Sequence, residues 1–469
     1  MTRLHSLGFL LLLATIQPGF SQDILDTYQL ALESEPDYKS AYLNQYATAE
    51  IKSQSIARML PNLSLTANSS RDRLHNKKQT FQRAGTQYFW NNTFTVNLVQ
   101  PVFHWEHWVQ LSQADNKIAQ AEAQFQSQSQ ALIVKTVSAY FNILAAQDNL
   151  DFTIAEKKAI EKQLEQAKQR FEVGMIAITD VHESQAAYDQ ARADEIEAEN
   201  LLDDEKENLR EIIGDSHIEL APLLEQIDLN LPEPADISSW ANSATTNNFS
   251  LIAQLNQTEV ARKEITLQQS GHLPTLDIVA NYGMQDNTST FGLRGDTQSV
   301  GVQLNVPLFE GGAVSSRSKQ ARYEYQKQQQ NLIKVKRTVL RQVKNAYRGV
   351  TSSYSRVQAL KATVKSAEVA LQTTEAGFEV GTRTMVDVLA EQRNLYRAKR
   401  DYARSRYDFL INSIKLKEAA GSLNSADVYQ VNQYVSSNVK PAQEQGKESI
   451  HTPSEHPGCA AECDDTNDG

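Results

Sequence analysis

Cysteine is nearly absent from this chain. Of 469 residues only two are cysteine, Cys459 and Cys463, and both lie close to the C-terminus. A disulfide framework is therefore excluded for the rest of the chain. Glycine (19 residues) and proline (12 residues) are also scarce, which favours long helices. Positive charge is in deficit, because the net charge is -11, and this argues against nucleic acid as a partner.

Long apolar runs are missing as well. After the N-terminal segment, no run reaches the roughly 18 apolar residues of a membrane-spanning helix, which excludes a helical membrane protein. The N-terminus carries Arg3, a short apolar core and small residues up to Ser21. We therefore predict a signal peptide over 1–21. A membrane anchor is the alternative, but the apolar core is too short to cross a bilayer.

Two stretches of the chain repeat each other. Residues 171–185 are FEVGMIAITDVHESQ and residues 378–392 are FEVGTRTMVDVLAEQ, and the match continues without a gap to Gly214 and Gly421. Such a duplication predicts two equivalent units that pack together. The predicted organisation is a first repeat over 22–214, a linker over 215–236, a second repeat over 237–421, a segment over 422–439 and a disordered tail over 440–469.

Each repeat has the same predicted order of elements. A first helix, over 37–59 or 237–269, is followed by alternating apolar and polar residues. This period of two predicts strands. We expect one hairpin per repeat, over 62–103 and 274–309, with strands of about ten residues, a length that crosses a membrane when tilted. A half-buried soluble hairpin would show the same alternation, but the secretion signal and the repeat favour the membrane.

The remaining helices are predicted to be much longer than those of ordinary globular proteins. No glycine or proline occurs between Val102 and Val173, and as helix this stretch would extend on the order of 100 Å. Apolar residues recur every seven positions along 175–213 and 382–420, with Glu195 as an exception. Strict heptads predict helical hairpins with coiled-coil packing.

Glycine marks the tip of each helical hairpin. Gly174 and Gly381 interrupt the helical pattern and predict left-handed helix ends. Thr179-Asp180 and the segment 384–387 then have the composition of helix starts, with acidic groups at the positive end of the helix dipole. The tips should lie far from the strands along the helix axis.

The number of strands requires several chains. Four strands cannot close a barrel, and an open sheet edge is not stable in lipid. Since about eight strands are the practical minimum for closure, two chains would give eight strands and three would give twelve. The residues alone thus predict an oligomeric barrel continued by a helical tube.

From about Ile24 to Tyr429 the chain resembles the TolC-type outer-membrane efflux proteins. The most specific motifs are GMIAITDV (174–181), GHLPTL (271–276) and VGTRTMVDVL (380–389). The resemblance implies a mixed α and β membrane protein. It would be a trimer with a twelve-stranded outer-membrane β-barrel and a long coiled-coil α-helical barrel in the periplasm. The linker over 215–236 and the segment over 422–439 would lie in its equatorial region.

The same resemblance implies the partners and the location. The chain would form a homotrimer in the lipid of the outer membrane of a Gram-negative bacterium and extend into the periplasm. A periplasmic adaptor (membrane fusion) protein and an inner-membrane pump would complete a duct for multidrug efflux or type I secretion. No cofactor is implied.

A gate at the periplasmic tip is also implied by the resemblance. Arg383 would pair with Thr179 and Asp180 of neighbouring helices, and Asp387 would line the narrowest point. Three Asp387 carboxylates converging in a trimer should raise one another's pKa and attract cations. Solvated charges at a helix start are the alternative interpretation of Arg383 and Asp387.

Two positions depart from the family pattern. Phe378 stands where the family has a gate tyrosine, so a hydroxyl link to Asp180 is missing. Ala390 occupies the second acidic position. Both departures predict a looser gate and a weaker cation block than in a member that has both features.

The two tip turns resemble the motif that meets the adaptor. They consist of Val173, Gly174 and Met175 in the first repeat and of Val380, Gly381 and Thr382 in the second. Two purely structural turns would have the same composition, and both interpretations can hold together.

Three further features suggest other sites. His104 and His107 flank a Trp-rich strand end and could bind a metal, but an interfacial aromatic belt is favoured. Arg294-Gly295-Asp296 resembles an adhesion motif, and an exposed loop turn is favoured. The tail carries His451, His456, Cys459 and Cys463, whose spacing matches no standard zinc pattern, so no metal site is predicted.

The sequence contains no nucleophile–base pair and no phosphate-binding loop, so an enzyme is not expected. The function predicted is an outer-membrane exit duct that passes drugs or secreted proteins from the pump and adaptor. The alternative is a periplasmic coiled-coil adaptor or scaffold without a pore, which would not need two membrane-length hairpins. A plain diffusion porin would gain nothing from helices of about 100 Å.

Overall fold

The computed structural model of the protein describes residues 22–76, 85–216, 218–224, 227–289 and 292–435. The predicted signal peptide and the predicted tail, with its two cysteines and two histidines, lie outside these residues. So does the end of the predicted segment over 422–439.

The two halves of the chain contain the same order of elements: two short helices, two strands and two long helices. The first half contains α1 (Ile24–Ser34), α2 (Pro36–Ala57), β1 (Asn62–Asn76), β2 (Gly85–Phe103), α3 (Trp105–Glu172) and α4 (Ile178–Ile213). The second half contains α5 (Ile237–Asn247), α6 (Phe249–Gln269), β3 (Thr275–Asn287), β4 (Arg294–Asn305), α7 (Ala313–Glu379), α8 (Met385–Ala420) and a final short helix, α9 (Ser425–Asn432).

The prediction was least accurate for the positions at which helices end and begin. The single helix expected over 237–269 is wrong, because the backbone leaves the helix at Asn248, whose side chain accepts a hydrogen bond from the Leu251 N–H and caps α6. The first half has the equivalent break at Glu35, with Pro36 at the start of α2. Helix α1 was not predicted at all; it begins with a capping box at Asp23.

The four strands form one antiparallel sheet in the order β1-β2-β3-β4. They are longer than the expected ten or so residues, with 15, 19, 13 and 12 residues. Polar residues beyond the alternating segments still pair through their backbones, as Arg71 does with Trp90. For the same reason the expected loop at Arg294-Gly295-Asp296 is wrong: these residues begin β4 and pair with β3.

Within the described chain, β1 and β4 each pair on one side only. Their apolar side chains are not covered by the rest of the chain: Leu63 is 70 % exposed on β1, and Val300 and Val302 are 82 % and 69 % exposed on β4. One chain therefore leaves both edges of the sheet, and much of its apolar surface, without a partner.

The long helices agree with the prediction from the missing glycine and proline. Helix α3 has 68 residues and α7 has 67, which corresponds to about 100 Å each. The described helices include none that is both long and apolar enough to cross a membrane. Helix α3 packs against α4, α7 packs against α8, and a contact between α3 and α8 joins the two halves.

The heptad pattern is confirmed by burial. At most of its positions the side chain is buried: Leu202, Leu209, Val388, Leu395 and Leu416 are at most 7 % exposed, whereas Val181, Tyr188 and Tyr402 are half-buried. The exception to the heptad pattern, Glu195, has a charged partner that the sequence could not indicate. The Glu195 carboxylate on α4 accepts hydrogen bonds from the Lys157 ammonium on α3, at 2.7 Å to Oε1. The acidic group is therefore paired with a cation where it is half-buried between the two helices.

The main core lies near the middle of the long helices. Tyr140 and Phe141 of α3 are fully buried there and pack with Tyr407 and Phe409 of α8. The Tyr140 hydroxyl lies 2.8 Å from the Ala221 carbonyl and 3.2 Å from the Gln22 carbonyl, within hydrogen-bonding distance of both. The N-terminal segment and the linker are thereby held against the same point of the helical hairpins.

Candidate functional site

The two hairpin tips have nearly identical backbone geometry. Gly174 has φ +75° and Gly381 has φ +79°. In the first tip the Gly174 N–H donates to the Phe171 carbonyl at 2.9 Å and the Met175 N–H to the Arg170 carbonyl at 2.8 Å. The second tip repeats both bonds at positions 207 residues later, at 3.1 and 2.8 Å. Each tip is thus a Schellman motif that requires glycine in the left-handed region.

Both tips present apolar side chains to solvent. Val173 is 68 % exposed, Met175 is 76 % exposed and Val380 is 75 % exposed. Gly174 and Gly381 have nothing within 4 Å of the position that a Cβ would occupy. The tips therefore form a pair of similar protruding surfaces that the chain itself does not cover.

The start of α8 fixes the position of Asp387. The Thr384 N–H donates to Asp387 Oδ2 at 2.9 Å, and the Asp387 N–H donates to Thr384 Oγ1 at 3.3 Å, which together form a capping box. The Thr384 backbone bond, then the Thr384 hydroxyl and, less strongly, the Arg383 cation hold the pKa of Asp387 below its ordinary value. Within one chain Asp387 is therefore a stable anion at neutral pH. This lowering of its pKa is opposite to the rise expected from three converging carboxylates.

Arg383 lies on the same tip as Asp387. Its side chain passes over Gly377 of α7, where a Cβ would meet the Arg383 Cγ at 2.8 Å. The Arg383 N–H donates to the Gly377 carbonyl at 3.2 Å. In the described part of the chain, no hydrogen bond or ion pair joins Arg383 to Thr179 or Asp180, which lie at the start of α4 on the other tip.

Phe378 and Ala390 both lie near the tip of the second hairpin. The Arg170 guanidinium carbon lies 5.0 Å from the centre of the Phe378 ring, a cation–π contact between α3 and α7. Phe378 also packs against a cluster below the tips that includes Ile160, Met385 and Leu389. Ala390 follows Leu389 on α8 and is half-buried.

At the junction of β2 and α3 the tryptophans are exposed, whereas the histidines are largely buried. Trp105 and Trp108 are 42 % and 55 % exposed, which is compatible with the predicted aromatic belt. His104 and His107 are turned inward, and each side chain is 16 % exposed.

Sequence reasoning missed two residues of the tip region. Gly377 leaves the space that the Arg383 side chain occupies, so a larger residue there would displace that side chain. Arg170 faces Phe378 across two helices. No local pattern indicates the contact of Arg170 with Phe378, since the two residues are separated by 207 residues of intervening chain. The approach of Arg383 to Gly377 is local but depends on the path of the turn between them. The Thr384–Asp387 capping box did have a local signal, the spacing T-x-x-D.

Comparison with known proteins places the chain in a family. The family model described as "outer membrane efflux protein" matches residues 27–215 and 240–422. The chain belongs to the outer membrane efflux protein family. Both matched segments contain a β-hairpin and a long helical hairpin with its glycine tip.

Relatives of this outer membrane efflux protein agree with that assignment. It is 37 % identical to the outer membrane protein TolC of Vibrio cholerae over 88 % of this chain and 94 % of that protein. It is 31 % identical to the alkaline protease secretion protein AprF of Pseudomonas aeruginosa, over 90 % and 88 %. The CmeC outer membrane channel of Campylobacter jejuni shares the fold, with TM-score 0.76 at 13 % identity, covering 90 % of this chain and 94 % of that chain.

These findings settle the class of protein. This efflux protein is an outer-membrane exit duct, and its location is the outer membrane of a Gram-negative bacterium with an extension into the periplasm. A periplasmic scaffold without a pore is not favoured. Members of the family act with an adaptor and an inner-membrane pump in tripartite efflux and secretion systems, and its relatives are channels and transport proteins rather than enzymes.

Proposed function

We propose that three copies of the chain form one duct, in which twelve strands close a barrel in the outer membrane. The observation that carries this proposal is the four-stranded sheet with two unpaired edges and exposed apolar side chains. Pairing β1 of one chain with β4 of the next satisfies both edges, which an isolated sheet cannot do in lipid. Twelve strands leave a channel wide enough to pass cargo, whereas eight are filled by side chains.

The helices supply the periplasmic part of the proposed duct. Each chain contributes four long helices, α3, α4, α7 and α8, so three chains give a tube of twelve. Their heptad seams pair α3 with α4 and α7 with α8, and the surfaces left over on each hairpin pack against the next chain. The cargo is a drug or a secreted protein, and a periplasmic adaptor and an inner-membrane pump deliver it; the names of the relatives include efflux and protease secretion.

The proposed gate forms only between neighbouring chains of the assembled trimer. In the closed trimer, Arg383 of one tip donates to Thr179 and Asp180 of the adjacent tip, and the three Asp387 carboxylates surround the axis. Support comes from the exposure of Arg383 and Thr179 and from the half-exposure of Asp180 in one chain, which leaves these groups free for a neighbour. The adaptor docks on the exposed tips around Gly174 and Gly381.

Native mass spectrometry of the detergent-extracted protein tests the assembly directly. We expect a complex with three times the mass of one mature chain, since three four-stranded sheets close the barrel. A complex of two chains, with eight strands, would contradict the proposed channel, and a stable monomer would contradict the closed barrel altogether.

A further inference from the structure

The junction between β2 and α3 brings two imidazoles and one carboxylate together. His104 follows the last residue of β2 and is the N-cap residue of α3, Glu106 lies in the first turn, and His107 lies three residues beyond His104. The pairing of β2 with β3 shifts register between Pro101 and Phe103. Such a bulge changes the direction of the side chains that follow it.

The distances within this group suit a metal ion. Glu106 Oε1 lies 3.8 Å from His104 Nδ1 and 3.7 Å from His107 Nε2, and one ligand atom from each of the three residues lies within 4.8 Å of the others. Bonds of about 2.0–2.1 Å in a tetrahedral zinc site place ligand atoms roughly 3.3 Å apart. The two rings are parallel and stacked, so binding requires that one ring turns out of the stack and that the half-exposed Glu106 side chain follows it, which brings the three ligand atoms to a common point.

Each of the two histidines keeps one buried ring nitrogen without a hydrogen-bond partner. His104 Nε2 lies 2.9 Å from Asp277 Oδ1 on β3, so the Nδ1 atom of a neutral His104 has a free lone pair. The Nδ1 atoms of His104 and His107 are buried and have no hydrogen-bond partner. The Glu106 carboxylate faces Nδ1 of His104 and Nε2 of His107, at distances too long for hydrogen bonds. The rings stack 4.7 Å apart at an angle of 9°, and no proton bridges them to the carboxylate.

Buried nitrogen lone pairs next to a carboxylate are unfavourable without a cation between them. A metal-binding histidine commonly donates its other ring N–H to a carboxylate. Asp277 lies where it can accept such a hydrogen bond from His104 Nε2. Arg58, at the end of α2, lies near His107 and opposes a bound cation, but Glu106 and Asp277 supply two negative charges against its one.

We propose that His104, Glu106 and His107 bind a divalent transition-metal ion of zinc type, with Asp277 as the positioning residue for His104. Two imidazole nitrogens and one carboxylate oxygen are ligands that zinc accepts, and the fourth position is left to water. The bound ion joins the start of α3 to β3 through Asp277 and so braces the sheet against the helical hairpin.

Zinc titration of the full-length chain tests the site. The protein is purified without a histidine tag, and His451, His456, Cys459 and Cys463 are replaced by Gln, Gln, Ser and Ser so that the tail cannot bind metal. We expect one zinc ion per chain with micromolar or tighter affinity. His104→Gln with His107→Gln abolishes binding, Glu106→Gln weakens it, and Asp277→Asn weakens it by roughly ten- to a hundredfold. The matched control His182→Gln, an exposed histidine of α4, leaves it unchanged.

Electron paramagnetic resonance with Cu²⁺ tests the ligands without relying on the double variant. The unsubstituted junction should give nitrogen couplings from two imidazoles, and these should persist with altered parameters in Glu106→Gln, whose side chain is half-exposed. The proposal is overturned if zinc binding is absent, if it persists unchanged in the histidine variant, or if bound Cu²⁺ shows no coupling to two nitrogens.

Discussion

Replacement of Arg383 by serine should increase the open fraction of the channel by roughly tenfold. An exposed ion pair contributes about 0.5 kcal/mol, and three such links, one per chain, together shift an open–closed equilibrium by roughly that factor. The substitution removes the cation that would link the second tip to Thr179 and Asp180 of its neighbour, while the Thr384–Asp387 capping box that starts α8 is retained. The measurement is single-channel recording in a planar bilayer, with mean conductance and open time compared between variant and parent.

Arg397→Ser is the matched control for this experiment. Arg397 is exposed on α8, two heptads beyond Arg383, which lies in the turn before that helix, so its loss changes the net charge equally without touching the tip. We expect parental conductance from it. Equal conductance in Arg383→Ser and the parent would show that Arg383 does not hold the gate closed.

Substitution of both tip glycines by valine should reduce export more than tenfold. At φ +75° and +79° a side chain with a Cβ costs roughly 1–2 kcal/mol per residue, and a β-branched residue is disfavoured further. The Schellman turns at Gly174 and Gly381 would then rearrange at the surface where the adaptor is proposed to dock. Drug susceptibility is measured in a Gram-negative host that lacks its own exit duct and carries a compatible adaptor and pump.

Gly349→Ala supplies the control for the tip variant. Gly349 lies within α7, and an added Cβ would meet Asn412 only at the ordinary contact distance of 3.6 Å. Export should be unchanged, because alanine is the better helix former. The amount of trimer in the outer membrane is measured for each variant. Full export by the double valine variant, at a normal trimer level, would contradict adaptor docking at the tips.

The features that follow from local pattern were the ones that could be predicted. Heptad spacing and the absence of glycine and proline indicated the long hairpins, and alternation indicated the strands. The glycine tips followed from the repeated motif. The split between α5 and α6 was missed although the residues before it, Thr245, Thr246 and Asn247, are poor helix formers. Asn248 leaves the helix through its backbone conformation and caps α6 with its side chain.

Long-range contacts were beyond sequence reasoning for a different reason. The pairing of Lys157 with Glu195 and the stacking of Arg170 on Phe378 depend on how two helices align, and periodicity does not specify that alignment. The same limit applied to the β2–α3 junction. The tryptophans there indicated a membrane interface, but only the folded chain brings Asp277 to His104.

Single-channel recording of the unmodified protein, reconstituted in a planar bilayer, tests the central claim most directly. A gated trimeric duct predicts small, discrete, cation-selective conductance steps, because three Asp387 carboxylates near the axis attract cations. Large steps without selectivity would retain a channel but contradict the proposed gate. An absence of any conductance from well-folded oligomer would contradict the exit duct itself.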